Sequence, residues 1–206
     1  MIATNNNCPT RDFGLLEGLL AKKRANVADS LIPTSFRGGR ILDIGCGNNP
    51  VFLRETVFSE KYGLDKSIGS AVSTDLRENE IRILVCDLEK DQHLPFNSGF
   101  FDVVTMLASI EHLDSQKVKP LIGDICRVLK MGGVFILTTP SPLARVPLQL
   151  MSRLRLVSDV EIKDHKSGYN SNMLRSILSG SGFSSDAIFI GHFEVCMNIW
   201  ATALKT

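Results

Sequence analysis

Ile41-Leu42-Asp43-Ile44-Gly45-Cys46-Gly47-Asn48-Asn49-Pro50 decides the reading of this chain. A short apolar strand runs into a glycine turn, and Val51-Phe52-Leu53 opens a helix behind it. Strand, glycine turn and helix together bring backbone close to a flat nucleoside-like ligand. Glycine is required at 45 and 47 because a Cβ at either position would push such a ligand away. Asp43 lies two residues before the first glycine, and a carboxylate there suits a ligand with a cationic end and repels a pyrophosphate. Asn49 is placed to cap the helix, with Pro50 at its first position, where proline is favoured.

Outward from this turn the chain alternates strands and helices. Lys61–Asp65 and Ile81–Asp87 read as second and third strands, each ending in an acid. Phe101–Leu107 reads as a fourth strand and Gly133–Thr139 as a fifth. Between these two, Gln116–Leu129 carries Val118, Leu121, Ile122, Ile125, Val128 and Leu129 on one side of a helix that Gly132-Gly133 ends. Phe13–Leu31 has helical spacing on one apolar face and stops before Pro33. Buried strands alternating with helices specify a parallel sheet covered on both faces. Ligands of such sheets sit at the carboxyl ends of the strands, where strand order reverses. The glycine turn, Asp65 and Asp87 all fall at such ends.

Past Pro140 the alternation breaks. Leu148–Val157 is expected to be a helix, apolar and basic, and Ser171–Ser179 another. Ala187–Gly191 and Val195–Leu204 read as a closing antiparallel pair joined by a Gly-His-Phe-Glu turn. The expected organisation is one domain: an N-terminal helical extension over 1–37, a ligand-binding core over 38–140, a substrate lid over 141–170, and a closing helix and strand pair over 171–206.

Composition narrows the classes. The chain has 206 residues, 44% apolar and 22% charged, with net charge +1. That is enough for one domain with a sizeable core, and it advertises no strong field for nucleic acid or an anionic membrane. Five cysteines without Cys-x-x-Cys spacing argue against a disulfide framework or structural zinc and fit reduced thiols in a cytoplasmic protein. Met1–Asn7 reads as a disordered start and not a signal peptide. No segment reaches the roughly 18 apolar residues of a membrane span, although the 148–157 stretch leaves peripheral membrane contact open. Oligomeric state is not fixed.

The segments Ile41–Gly47, Gly63-Leu64-Asp65, Cys86-Asp87-Leu88, Leu94-Pro95-Phe96 with Phe101–Val104, Glu111-His112-Leu113, and Leu129–Gly133 resemble the class I S-adenosylmethionine-dependent methyltransferases. They are most similar to the small-molecule branch that includes the ubiquinone and menaquinone enzymes. The resemblance covers roughly residues 38 to 140. It implies an α/β, doubly wound, seven-stranded Rossmann-like sheet, six strands parallel and the last antiparallel, with S-adenosyl-L-methionine as cofactor. It also implies roles: Asp43 toward the aminoacyl end, Gly45 and Gly47 beneath the cofactor, and Asp65 on both ribose hydroxyls. Asp87 and the backbone of Leu88 would read the adenine edge, with Cys46, Lys66 and Leu107 completing the contacts. Asn49 stands where the family has a third glycine.

The implied activity is in-line methyl transfer to a small-molecule, sugar or lipid-linked acceptor. His112, just beyond a strand's carboxyl end, is the candidate catalytic base; the alternative is that Glu111 and His112 orient the loop. Some quinone enzymes bind a divalent metal through Glu-x-x-Glu-His; Ala108 replaces the first acid here, so no metal is expected. Asp102, at the start of its strand, reads as structural. His165 and Tyr169 are possible substrate contacts, and Arg145, Arg153 and Arg155 would suit an anionic acceptor. Two other readings remain: a protein that binds the cofactor without turnover, and a nicotinamide-dependent dehydrogenase, against which Pro50 stands where a third glycine is needed. Nucleic-acid methylation is disfavoured by Leu107-Ala108-Ser109-Ile110 in place of an Asn/Asp-Pro-Pro-Tyr/Phe motif.

Overall fold

A computed structural model describes residues 17–66, 80–91, 93–144 and 168–206. The strands are β1 (Arg40–Ile44), β2 (Glu60–Asp65), β3 (Ile81–Val85), β4 (Phe101–Leu107), β5 (Leu129–Pro140), β6 (Ile188–Phe193) and β7 (Asn198–Leu204). They form one seven-stranded sheet in the order β3-β2-β1-β4-β5-β7-β6. β1 through β5 pair in parallel, whereas β7 is antiparallel to both β5 and β6. The order reverses between β1 and β4, which opens a crevice at their carboxyl ends.

Alternation along the strands divides the interior in two. Ile41, Val103, Val134 and Ile136 face one side, under α1 (Glu17–Ser30) and α2 (Val51–Glu55); Ala25 and Ala28 of α1 and Phe52 and Leu53 of α2 close it. Leu42, Ile44, Val104, Met106, Phe135 and Leu137 face the other. There they meet Val118, Ile122 and Ile125 of α3 (Ser115–Val128) and Leu174 and Leu178 of α4 (Ser171–Ser179). Each such side chain, fully buried, contributes about 1.5–3 kcal/mol. Both of these helices start on side-chain caps: Asp114 accepts from Gln116 N and Asn170 from Met173 N, each at 2.9 Å.

Polar clasps fix the strand entries. Asp102 accepts from Arg40 N and Lys130 Nζ at 2.8 Å each, which bears out its structural reading. The loop before β4 is held by buried Asp124, which accepts from Leu94 N and Arg127 Nε at 2.6 Å, while Arg127 donates to Phe96 O at 2.8 Å.

Four sequence expectations need correction. Pro50 is the N-cap of α2 and not its first helical residue; its ψ of 71° is non-helical and no side chain caps the helix, so Asn49 does not serve that role. α3 ends at Val128, and β5 begins at once rather than at Gly133. Gly132 and Gly133 belong to that strand, where the β4–β5 pairing shifts register; Gly132 has φ +77° and a Cβ on Gly133 would lie 2.9 Å from Lys130 O. The third strand stops at Val85, leaving Asp87 in the following turn. Gly191-His192-Phe193 lies inside β6, because Gly191 makes room for the Trp200 indole, which a Cβ would approach to 2.4 Å. The hairpin turn is instead Glu194–Met197, with Glu194, Val195 and Cys196 all at positive φ. The expected N-terminal disorder, the 148–157 helix, most of the 141–170 lid, His165 and the three arginines lie outside the described residues.

Candidate cofactor site

The three acids read from sequence come together at one end of the sheet. In the register of the parallel strands, Asp43 pairs with Gly63, and Asp65 pairs with Val85. Paired residues share a face, and so do residues two apart on one strand. Asp43 and Asp65 therefore emerge on the α1/α2 face, Asp65 two residues further out on the neighbouring strand. Asp87 follows two residues beyond Val85. The acids thus step across the tips of β1, β2 and β3.

Asp43 is 4% exposed and accepts from Thr105 Oγ1 at 2.7 Å. Burial pushes its carboxyl up to about 7; the Thr105 hydrogen bond opposes the rise, and the like charge of Asp65 adds to it. A buried carboxyl next to a second acid favours a cationic partner, which stabilises its ionised form. Asp65, also 4% exposed, accepts from Gly47 N at 2.9 Å and so ties the glycine turn to β2. A carboxylate has about four lone-pair positions and is a natural bidentate acceptor for a vicinal diol.

The turn is built by left-handed backbone: Gly45 has φ +75° and Gly47 φ +68°. Gly45 N and Cys46 N both donate to Leu64 O, at 2.7 and 3.1 Å. The two glycines differ in purpose. A Cβ at Gly45 would meet Ser109 Oγ at 2.3 Å, so protein packing, not a ligand, demands that glycine. A Cβ at Gly47 meets nothing within 4 Å and would project into open space, as a floor beneath a ligand requires. The Cys46 side chain packs downward into the α1/α2 core, leaving backbone as its means of contact with a ligand.

Asp87 is half-buried. Its Oδ1 accepts from Glu89 N at 3.1 Å and its Oδ2 pairs with Lys90 Nζ at 3.0 Å, which hold its carboxyl below the usual range. It organises the turn after β3 and presents Leu88, partly buried against the core. Lys66 is exposed and Leu107 half-buried at the end of β4. Beyond Leu107 the chain bends sharply through Ala108, at φ +49°, into a short helical turn, Ile110–His112. His112 is half-buried, and its N–H donates to Ser109 O at 3.3 Å. Glu111 is 2% exposed and accepts from Thr139 Oγ1 of β5 at 3.0 Å, so it anchors the loop that carries His112. Tyr169 is 2% exposed, inside the α3/α4 core. Thr105, Ser109 and Thr139 escaped the sequence reading. The threonines carried a faint signal as polar residues in otherwise apolar strands.

A doubly wound sheet with an inserted antiparallel β7, and a glycine-floored acidic crevice at its switch point, defines the Rossmann-like methyltransferase class. The family model for a methyltransferase domain matches residues 16–187, and the chain belongs to that family, whose methyl donor is S-adenosyl-L-methionine. The ubiquinone/menaquinone biosynthesis C-methyltransferase of Burkholderia mallei is 31% identical over 113 residues, covering 47% of this chain and 41% of the relative. Sterol 24-C-methyltransferase of Schizosaccharomyces pombe is 30% identical over 108 residues, covering 48% of this chain and 27% of the relative. The matches thus span less than half the length of these relatives. A solved S-adenosylmethionine-dependent methyltransferase of Thermotoga maritima superposes with TM-score 0.68 at 16% identity, over 93% of this chain and 92% of that one, which establishes the shared fold. Among the described residues no helix is long and apolar enough to cross a membrane.

Proposed function

We propose that this chain methylates a small-molecule acceptor, of the metabolite, sugar or lipid-linked kind, with the crevice at the tips of β1, β2, β3 and β4 as its cofactor site. The carrying observation is Asp43: a buried carboxyl beside a second acid, above a glycine floor, suits a cationic aminoacyl group and penalises a pyrophosphate. When bound, S-adenosylmethionine supplies an electrophilic methyl group on a sulfonium. Asp43 would hold its ammonium, with the Gly47 backbone as the floor. Asp65, held by Gly47 N, orients the ribose diol, and the Asp87–Leu88 turn borders the adenine. His112, on the loop anchored by Glu111 and Thr139, accepts a proton when the nucleophile is a hydroxyl. The small-molecule acceptor is supported by the names of relatives that act in quinone and sterol methylation.

The test has two arms. S-adenosylhomocysteine, and not NAD, should raise the melting temperature. Labelled methyl from S-adenosylmethionine should pass into an organic-soluble or small polar fraction of a metabolite extract. Stabilisation by NAD alone overturns the cofactor reading; label found in nucleic acid alone overturns the acceptor class.

A further inference from the structure

We propose that Thr105 is a positioning residue that lets Asp43 shed a proton as the cofactor binds. The inference rests on the cofactor reading above and concerns a side chain to which that reading gives no role.

Thr105 is fully buried on β4 and pairs with Asp43 in parallel register, so both side chains emerge on one face. Its oxygen lies 2.7 Å from Asp43 Oδ1 and 3.3 Å from Leu42 O. One hydroxyl proton therefore has two acceptors within reach. With Asp43 ionised, Thr105 donates to the carboxylate. With Asp43 neutral, the carboxyl O–H donates to Thr105 Oγ1 and the threonine proton turns to Leu42 O. Neither state leaves a buried hydroxyl proton without an acceptor, a defect that destabilises apolar interiors.

The surroundings explain why both states matter. From β2 the carboxyl faces Asp65, a like charge that opposes ionisation. The turn places Cys46 beside it, and α2 turns the apolar Phe52 and Leu53 to this face. Burial pushes the Asp43 carboxyl up to about 7, so its protonated and ionised forms both come into play near neutral pH. Arrival of a ligand ammonium breaks the Asp43 O–H bond, and the proton leaves to solvent through the crevice mouth. The protein gains one negative charge beside the ligand's positive one, and the Thr105 hydroxyl rotates to the new carboxylate. By favouring the ionised carboxyl, Thr105 sets the pH range in which cofactor affinity changes and brings it down toward neutrality.

Isothermal calorimetry of S-adenosylmethionine binding, in buffers of different ionisation heat from pH 6 to 9, tests this in the wild-type chain, Thr105→Val and Thr105→Ser. At pH 6 an α-amine of pKa about 8 is already protonated, so released protons report the protein. Wild type should release close to one proton at pH 6, fading as pH passes about 7. Thr105→Val should move that break up by about one pH unit and weaken binding about fivefold at pH 7, with its ratio to wild type returning to one by pH 9. Thr105→Ser should restore the wild-type profile. An unmoved break in Thr105→Val, or an equal loss at every pH, overturns the proposal. Wild type that binds without releasing a proton removes this inference alone; wild type that fails to bind at all removes the cofactor reading with it.

Discussion

Replacing Asp43 by asparagine should stabilise the ligand-free protein, increasingly so as pH rises. Asparagine keeps the size of the side chain and still accepts from Thr105. In the folded chain the carboxyl titrates at about 7, against 3.8 when unperturbed. Folding therefore favours the protonated form. Between these two values the folded state holds a proton that the unfolded state has lost, so wild-type stability falls as pH rises through this window and is flat above it. Each unit is worth about 1.36 kcal/mol, which gives about 4 kcal/mol across the whole window. Between pH 5 and pH 8 the gap between Asp43→Asn and wild type should widen by about 3 kcal/mol. Urea denaturation of both proteins at both pH values, without cofactor, measures it. Parallel stability–pH curves would refute the burial of an ionisable Asp43. Saturating S-adenosylmethionine should narrow or reverse the order, because the carboxylate then faces a cation.

The two turn glycines should separate fold from binding. Gly45→Ala drives a Cβ into Ser109 Oγ and should lower the melting temperature sharply, whereas Gly47→Ala costs only the about 1–2 kcal/mol of a left-handed alanine yet weakens cofactor binding. Equal melting temperatures for the two would contradict the packing at Gly45. Asp65→Ala removes both the Gly47 tie and the diol acceptor, and should weaken binding about tenfold to a hundredfold by calorimetry, with unchanged affinity taking Asp65 out of the site. His112→Ala should lower turnover of a hydroxyl acceptor on the order of a hundredfold and flatten the acid limb of its pH profile. Retained turnover with the same profile demotes His112 to scaffold. Dialysis against a chelator should leave methyl transfer intact; loss restored by magnesium would show that Glu111 and His112 serve a metal.

Much of this architecture was legible because the deciding signals are local. β1, β4 and α4 fall where apolar patterning and capping place them, the strands as short apolar runs and α4 as an amphipathic helix behind its Asn170 cap. The misreadings share a cause: a residue's local meaning was overruled by a distant partner. Gly132 and Gly133 look like a helix stop but accommodate a bulge against β4. Gly191 looks like a turn residue but clears a path for Trp200. Thr105 reads as an ordinary strand residue, and only the β1–β4 register sets it against Asp43. Gly45 and Gly47, indistinguishable as letters, separate once Ser109 arrives from 62 residues past Gly47.

The insertion of β7 between β5 and β6 orders events during synthesis. β6 reaches the sheet only through β7, so while residues 198–204 remain in the ribosome one whole border of β5 stays bare. That border includes the strongly apolar run Val134–Leu137, a template onto which another nascent chain could zip. The seven-residue β7 is thus the stopper against intermolecular pairing, and a nascent chain in which it has not yet docked exposes that border.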